Sequence, residues 1–133
     1  MIIKEYTTYR EDEILGLYAS VGWTAYTGDP ETLKNGFAHS LLVLAAYENE
    51  QLLGIVRAVG DGNTIVFIQD ILVSKEYQRG GVGSALLKAV SERYPHVRQF
   101  ELVTDNTEQT IAFYRSMGFR ELSEIGCCGF VRN

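Results

Sequence analysis

Val73-Ser74-Lys75-Glu76-Tyr77-Gln78-Arg79-Gly80-Gly81-Val82-Gly83-Ser84 joins two segments of different periodicity. Before it, Ile65 to Val73 is an apolar run of a length that suits a buried strand. After it, Val82, Ala85, Leu86, Ala89 and Val90 recur at i, i+3, i+4, i+7 and i+8, which gives a helix one apolar stripe. Strand, glycine loop, helix start: that order makes an anion site. First-turn N–H groups have no intrahelical acceptor, the dipole is positive at that end, and glycines let a phosphate reach the backbone. A lone glycine pair would read as a tight turn before a helix. Gln78, Gly81 and Gly83 instead form a Q-x-x-G-x-G frame behind a strand, which is more specific.

Two other phosphate loops do not fit. A P-loop ends in Gly-Lys-Ser/Thr, and no lysine follows Gly83 until Lys88. The dinucleotide fingerprint G-x-G-x-x-G fails because Leu86 stands three residues after Gly83.

Composition narrows the class further. A chain of 133 residues is expected to form a single domain over residues 1–133. Apolar residues make up 46%, yet none of their runs approaches the ~18–20 residues of a membrane span. Met1 to Tyr6 reads as a first strand rather than a signal peptide. The net charge of −5 argues against a nucleic-acid surface and is compatible with a cationic partner such as an amine. Cys127 and Cys128 are adjacent, so they do not readily bridge each other, and they lack metal-ligand spacing. They read as reduced strand residues of a cytoplasmic protein, with no metal site.

Along the chain, residues 2–7 form a strand, and Thr8 with Glu11 a capping box opening a helix to about Ser20, stopped by Gly22. Asp29-Pro30 starts a short helix ending near Asn35-Gly36. Leu41 to Tyr47 and Leu52 to Val59 make a hairpin, and Asp61-Gly62 turns the chain into the strand from Ile65 to Val73. Beyond the glycine loop and its helix, Pro95 breaks the pattern and Gln99 to Val103 form a strand. Asn106 with Gln109 reads as a second capping box, for a helix to about Met117 stopped by Gly118. Phe119 to Leu122 and Ile125 to Val131 read as two last strands. This order predicts an α/β chain: a mixed sheet with helices on both faces.

The loop resembles motif A of the GNAT family of N-acetyltransferases. Asn106, Phe113-Tyr114 and Gly118-Phe119, spaced as N-x(6)-F-Y-x(3)-G-F, resemble its motif B. The element order is also that of the GNAT fold, so the resemblance covers nearly the whole chain. It implies an acetyl-CoA-dependent N-acetyltransferase acting on a small-molecule primary amine by direct attack in a ternary complex. It also implies that acetyl-CoA lies where two strands splay apart. Its pyrophosphate would be held by Gln78, Arg79, Gly80, Gly81, Val82, Gly83 and Ser84. Its pantetheine would pair with the edge of Ile71, Leu72 and Val73, with Asn106 and Phe113 as further contacts. Frequent dimerisation in the family, together with the apolar Ile125 to Val131, suggests a homodimer.

Amine attack on a thioester requires an N–H for the oxyanion, a proton for the leaving sulfur and a neutral amine. A phenol of pKa ~10 can protonate the thiolate of a thiol of pKa ~8.5. Tyr114 also reads as an ordinary core aromatic, but adjacent helical residues point about 100° apart, so one of Phe113 and Tyr114 can face the core and the other the cofactor. The resemblance assigns Tyr114 to the cofactor, as the catalytic acid. Asn106 reads both as a helix cap and as a cofactor contact, and the two are compatible.

The base is where the chain departs from the family. Several amine-acetylating relatives place a glutamate four residues before the position of Val73, and here it is Gln69, which takes no proton. Asp70 points to the opposite face on a regular strand, unless a bulge re-aims it, and it also reads as a structural carboxylate bonded to nearby backbone or to Arg57. His39, Asp29 and water are the other candidates. The aromatics Trp23, Tyr26 and Phe37, together with Asp29, Glu31 and Asp61, suit an arylalkylamine or a similar cation, and the aromatics equally suit helix packing. Two alternatives remain on the same fold: a catalytically weak acyl-CoA-binding or regulatory module, and an acetyltransferase acting on a protein amine.

Overall fold

The computed structural model describes residues 1–133, which divide into two compact units, residues 1–103 and 104–133. Unit 1 contains β1 (Ile2–Glu5), α1 (Glu11–Ser20), α2 (Pro30–Ala38), β2 (Leu42–Glu48), β3 (Gln51–Gly60), β4 (Ile65–Val73), α3 (Val82–Arg93) and β5 (Gln99–Leu102). The strands form one sheet in the order β1-β2-β3-β4-β5. All neighbours are antiparallel except β4 and β5, so the sheet is mixed as its sequence predicts.

The cross-strand register sorts the sheet into two faces, because opposed residues share a side. Val43, Ala45, Ile55 and Leu72 fall on one face and pack with Ile14, Leu17 and Tyr18 of α1 and Leu33 and Phe37 of α2. Leu44, Val56, Ala58, Val66 and Ile68 are buried on the other, which α3 covers with Val82, Leu86, Leu87 and Val90. The stripe that identified α3 is therefore its buried side. Glu13 of α1 fastens the first face at its edge by accepting from Tyr6 Oη and Tyr47 Oη, each at 2.9 Å.

Local chemistry decides the turns. Asn49 and Glu50 both take positive φ (51° and 66°) between the paired Glu48 and Gln51, the backbone of a two-residue hairpin turn. Asp29 caps α2 through the Thr32 amide as expected, but the helix runs on to Ala38 with Gly36 inside it. The expected capping box of Thr8 and Glu11 does not form. Arg10 is the cap residue and no side chain caps the helix, while Glu11, Asp12 and Glu13 place negative charge on its first turn.

Unit 2 holds α4 (Glu108–Ser116) and a single 3₁₀ turn, Leu122–Ile125. Thr107, not Asn106, caps α4, its Oγ1 accepting from the Thr110 amide at 3.2 Å; the Asn106–Gln109 box is thus displaced by one residue. The two strands expected over Phe119 to Leu122 and Ile125 to Val131 are absent. Arg115 draws both Glu121 and Glu124 to one guanidinium nitrogen, which favours a turn there. Left-handed Gly126 then closes that turn, with the Cys127 amide donating to the Leu122 carbonyl. Cys127 and Cys128 are free and exposed, and Phe130 is 96% exposed. With no strand edge to pair with in its own unit, an apolar run of this length stays irregular.

Asp61 shows how much one turn residue carries. Its Oδ1 accepts from the amides of Asn63 (2.8 Å), Thr64 (2.7 Å) and Ile65 (3.1 Å), and its Oδ2 from Thr64 Oγ1 (2.7 Å). These bonds, the Thr64 hydroxyl foremost, hold the carboxyl far below the usual range. A depressed folded-state pKa contributes stability that is complete above the unfolded value of ~3.9 and is lost as pH falls below it. Asp61→Ala should lower Tm at pH 7, and the difference from the parent should shrink below pH ~4. Thermal melts across that range test this; a difference independent of pH would refute it.

Candidate functional site

β4 pairs with β5 only from Ile65↔Gln99 to Ile68↔Leu102. From Gln69 to Val73 it continues with no partner on that side, so a row of backbone N–H and C=O groups is left available. This is the splayed strand pair, and Ile71, Leu72 and Val73 lie along its free length.

The chain then passes Ser74, whose amide donates to Leu53 O at 2.7 Å, and a 3₁₀ turn over Lys75–Tyr77. Gln78 Nε2 donates back to Val73 O at 3.1 Å, tying the loop to the strand end. Arg79 is left-handed (φ 69°), which costs a non-glycine residue roughly 1–2 kcal/mol. Gly81 is left-handed too (φ 85°) and stands as the cap residue of α3. It has no side chain to cap with, so the amides of Val82, Gly83 and Ser84 meet neither an intrahelical nor a side-chain acceptor. The first helical bond is Ala85 N to Gly81 O at 3.0 Å. An exposed loop that leads into an uncapped helix N-terminus leaves backbone N–H groups that can receive an anion.

Beside the splay lies a buried polar cluster. The register runs Arg57↔Asp70 and then Ala58↔Ile68, so Gln69 is an extra residue, a bulge on β4. Past it the alternation reverses. Asp70 joins the α1 face, where its Oδ2 accepts from Arg57 Nε at 2.9 Å and Tyr18 Oη at 2.7 Å. Burial, and then the Asp70 charge, push the Tyr18 phenol far above its usual pKa, so it remains a donor. Gln69 itself is exposed, the one β4 side chain that is. Of the structural readings open to Asp70, the pairing with Arg57 is the one present. Tyr18 was not legible as a functional residue. The available signal was a tyrosine at i+4 from Ile14 on an apolar stripe, whose hydroxyl needs a buried partner.

Trp23 and Tyr26 lie between α1 and α2, and both are about half exposed. Trp23 stacks edge-on against Tyr18 with centroids 6.3 Å apart, whereas Phe37 is buried against Tyr9, Tyr18 and Arg57. His39 ends α2, its Nδ1 2.8 Å from Asn35 O, and Asp29 is occupied by Thr32. In unit 2, Phe113 and Tyr114 are neighbours on α4 with ring centroids 4.9 Å apart, and Phe119 meets Tyr114 at 6.0 Å. Burial raises the Tyr114 pKa above 10, and its hydroxyl makes no hydrogen bond to protein. Asn106, relieved of capping by Thr107, is exposed.

A mixed sheet whose fourth strand leaves its parallel neighbour just before an uncapped glycine loop defines an acetyltransferase fold. The acetyltransferase (GNAT) domain profile matches residues 39–121, and the chain belongs to that family. A GNAT-family acetyltransferase of Streptococcus pneumoniae is 38% identical with a TM-score of 0.90, over 99% of this chain and 96% of that one. An aminoglycoside 6'-N-acetyltransferase complexed with coenzyme A superposes with a TM-score of 0.71 over 89% of this chain and 84% of its own; at 18% identity it shares the fold alone. A glucosamine 6-phosphate N-acetyltransferase of Trypanosoma brucei brucei is 29% identical over 59 residues, 44% of this chain and 40% of that protein. The chain spans under half the length of the curated relatives it matches.

The loop backbone makes a prediction of opposite signs. A Cβ on Gly81 would touch nothing within 4 Å, so any cost of Gly81→Ala is backbone strain alone, about 1–2 kcal/mol. Gly80 has an ordinary φ and its nearest contact is Tyr77 O at 3.5 Å, so Gly80→Ala should be neutral or stabilise by up to ~1 kcal/mol. Urea midpoints of the two variants test the assignment; equal losses would contradict it.

Proposed function

We propose that this acetyltransferase transfers the acetyl group of acetyl-CoA to the primary amine of a small molecule, by direct attack in a ternary complex. The carrying observation is the uncapped glycine loop that follows the free edge of β4. The residues fit the group they would hold. Amides over Gln78, Arg79, Gly80, Gly81, Val82, Gly83 and Ser84 suit a pyrophosphate. The unpaired backbone of Ile71, Leu72 and Val73 suits the amide-bearing pantetheine arm. Asn106 and Phe113 are proposed as further contacts. When bound, acetyl-CoA supplies an activated thioester.

Tyr114 is the proposed acid. A phenol is protonated at neutral pH, and the Tyr114 hydroxyl is uncommitted, which is the state an acid needs before it donates to a leaving thiolate. On the base side Gln69 takes no proton. Asp70 Oδ2 is engaged by Arg57 Nε at 2.9 Å and Tyr18 Oη at 2.7 Å, the contacts of a structural carboxylate. Water is the proposed acceptor of the amine's proton ahead of His39 and Asp29, and on that reading the rate should rise toward alkaline pH as free amine accumulates.

The deciding experiment is coenzyme A thiol release with a panel of polyamines, arylalkylamines, aminoglycosides and amino acids. Turnover with one class supports the enzyme and names its acceptor. Tight acetyl-CoA binding without turnover on any member would favour the acyl-CoA-binding module, to which the lack of a free carboxylate on β4 already lends weight. Turnover only on protein N-termini or lysines would favour the protein-amine reading.

Tyr114→Phe should lower kcat by ~10²-fold while the Kd for acetyl-CoA changes little. Stopped-flow chemistry and calorimetry check this; a near-normal chemical step would remove Tyr114 from the role.

We propose further that the chain forms a homodimer in which the exposed apolar segment from Ile125 to Val131 finds the pairing it lacks in its own unit. Sedimentation at tens of micromolar should show a species near 30 kDa, twice the 14.9 kDa chain, and Phe130→Asp should halve it. A monomer throughout would refute the proposal.

A further inference from the structure

The bulge at Gln69 has a cause that the register exposes. Had β4 continued in step from Ala58↔Ile68, Gln69 would oppose Arg57 and Asp70 would oppose Val56, on the face that α3 covers. Asp70 would then be a charge among Val56, Val66, Ile68 and the apolar side of α3, while Arg57 lost its carboxylate among Phe37 and the α1 core. Inserting one residue avoids both penalties: Asp70 crosses to the α1 face and meets Arg57 and Tyr18. Arg57 is held from the other side as well. Its Nη1 donates to Gly36 O and Ser40 Oγ at 3.4 Å, and the guanidinium lies 5.5 Å from the Phe37 ring centroid. The residue pushed out by this arrangement is Gln69, at the first position beyond the last β4–β5 pair.

We propose that Tyr18, Asp70 and Arg57 form a positioning triad that holds the β4 bulge and thereby presents the Gln69 side chain to the acceptor amine. None of the three reacts. Gln69 acts as an orienting, specificity-determining residue: its amide oxygen accepts a hydrogen bond from the incoming amine without removing its proton. This rests on the acetyl-transfer reading and adds to it a reason why an amide stands at the splay and why the neighbouring carboxylate is buried.

The test is a double-mutant cycle with a structural arm. Tyr18→Phe keeps the ring and deletes one bond to Asp70. With the best amine of the panel it should lower kcat/KM for the acceptor about tenfold, within the range of couplings between contacting groups. KM for acetyl-CoA should be unchanged. Gln69→Ala should do the same, and the double variant should be no worse than Gln69→Ala alone. Its Tm should nevertheless fall as far as that of Tyr18→Phe. A merely structural Tyr18 would give additive losses in kcat/KM, which would overturn the proposal.

The structural arm needs no turnover. In Tyr18→Phe and in the shape-conserving Asp70→Asn, the backbone and side-chain amide resonances of Gln69 should shift while that of Gly81 stays. Unmoved Gln69 resonances would defeat the triad whatever the activity. Asp70→Asn that abolishes turnover with Gln69 unmoved would instead make Asp70 the base. If no amine is acetylated but Gln69 moves, the substrate reading fails and the triad stands.

Discussion

A carboxylate buried in the sheet is the constraint from which much of unit 1 follows. Asp70 is 8% exposed and Arg57 7%, and a charge that far from water is tolerated only when paired and hydrogen-bonded. The pair meets that condition from four elements. β4 brings Asp70, β3 brings Arg57, α1 brings Tyr18, and α2 offers the Gly36 carbonyl and the Phe37 ring. Such a pair adds little net stability compared with an apolar substitute, but removing one partner typically costs ~3–5 kcal/mol. Its value lies in specification: one register of β3 on β4 satisfies it, and a one-residue slip buries a lone charge on each face.

That register shapes β4 along its length. The first half is an ordinary interior strand, hydrogen-bonded to β3 and β5. The second half, beyond the bulge, keeps β3 and has no partner on the other side. Bulges bend a strand and increase its local twist, so a bulge at Gln69 and the end of β5 pairing at Ile68 belong together physically. Gly54, opposite Val73, confirms how closely the backbones run there: a Cβ would come within 2.5 Å of Leu72 O. β4 is thus anchored at its far end by close backbone contact with β3, which fixes where Ser74 and the glycine loop begin. Strain in Arg79 is affordable because both flanks of the loop are held, by Gln78 on Val73 and by the buried stripe of α3.

The legibility of these features follows the range of the forces involved. The β4 bounds, the α3 stripe and the Asp29 cap were readable because periodicity and capping are encoded within a few residues. The mixed sheet followed from their order. Caps decided by competition were not: Thr107 displaces Asn106 because its hydroxyl reaches the Thr110 amide, and Thr8 yields to a start that relies on three acidic residues. The final apolar run reads as strands but forms none, because a short apolar run becomes a strand only where an edge exists to receive it. At the candidate site, the uncapped glycine loop and the pairing of Asp70 with Arg57 are legible in the sequence. Tyr18 was hidden, since it lies 52 positions from Asp70 and its stripe reads as plain core.

The acid and base halves of the proposed chemistry are treated unequally by this fold. A phenol is protonated at neutral pH whether or not it is buried, and the burial that raises the Tyr114 pKa makes its proton harder to give up, so an acid role there rests on position. Asp70 Oδ2 is held by Arg57 Nε at 2.9 Å and by Tyr18 Oη at 2.7 Å. That carboxylate is thus committed to joining β3, β4 and α1, and the residue that the bulge exposes is an amide. On the proposed reading the amine loses its proton to solvent, and acceptors that are weak bases then have an advantage: more of them arrive neutral.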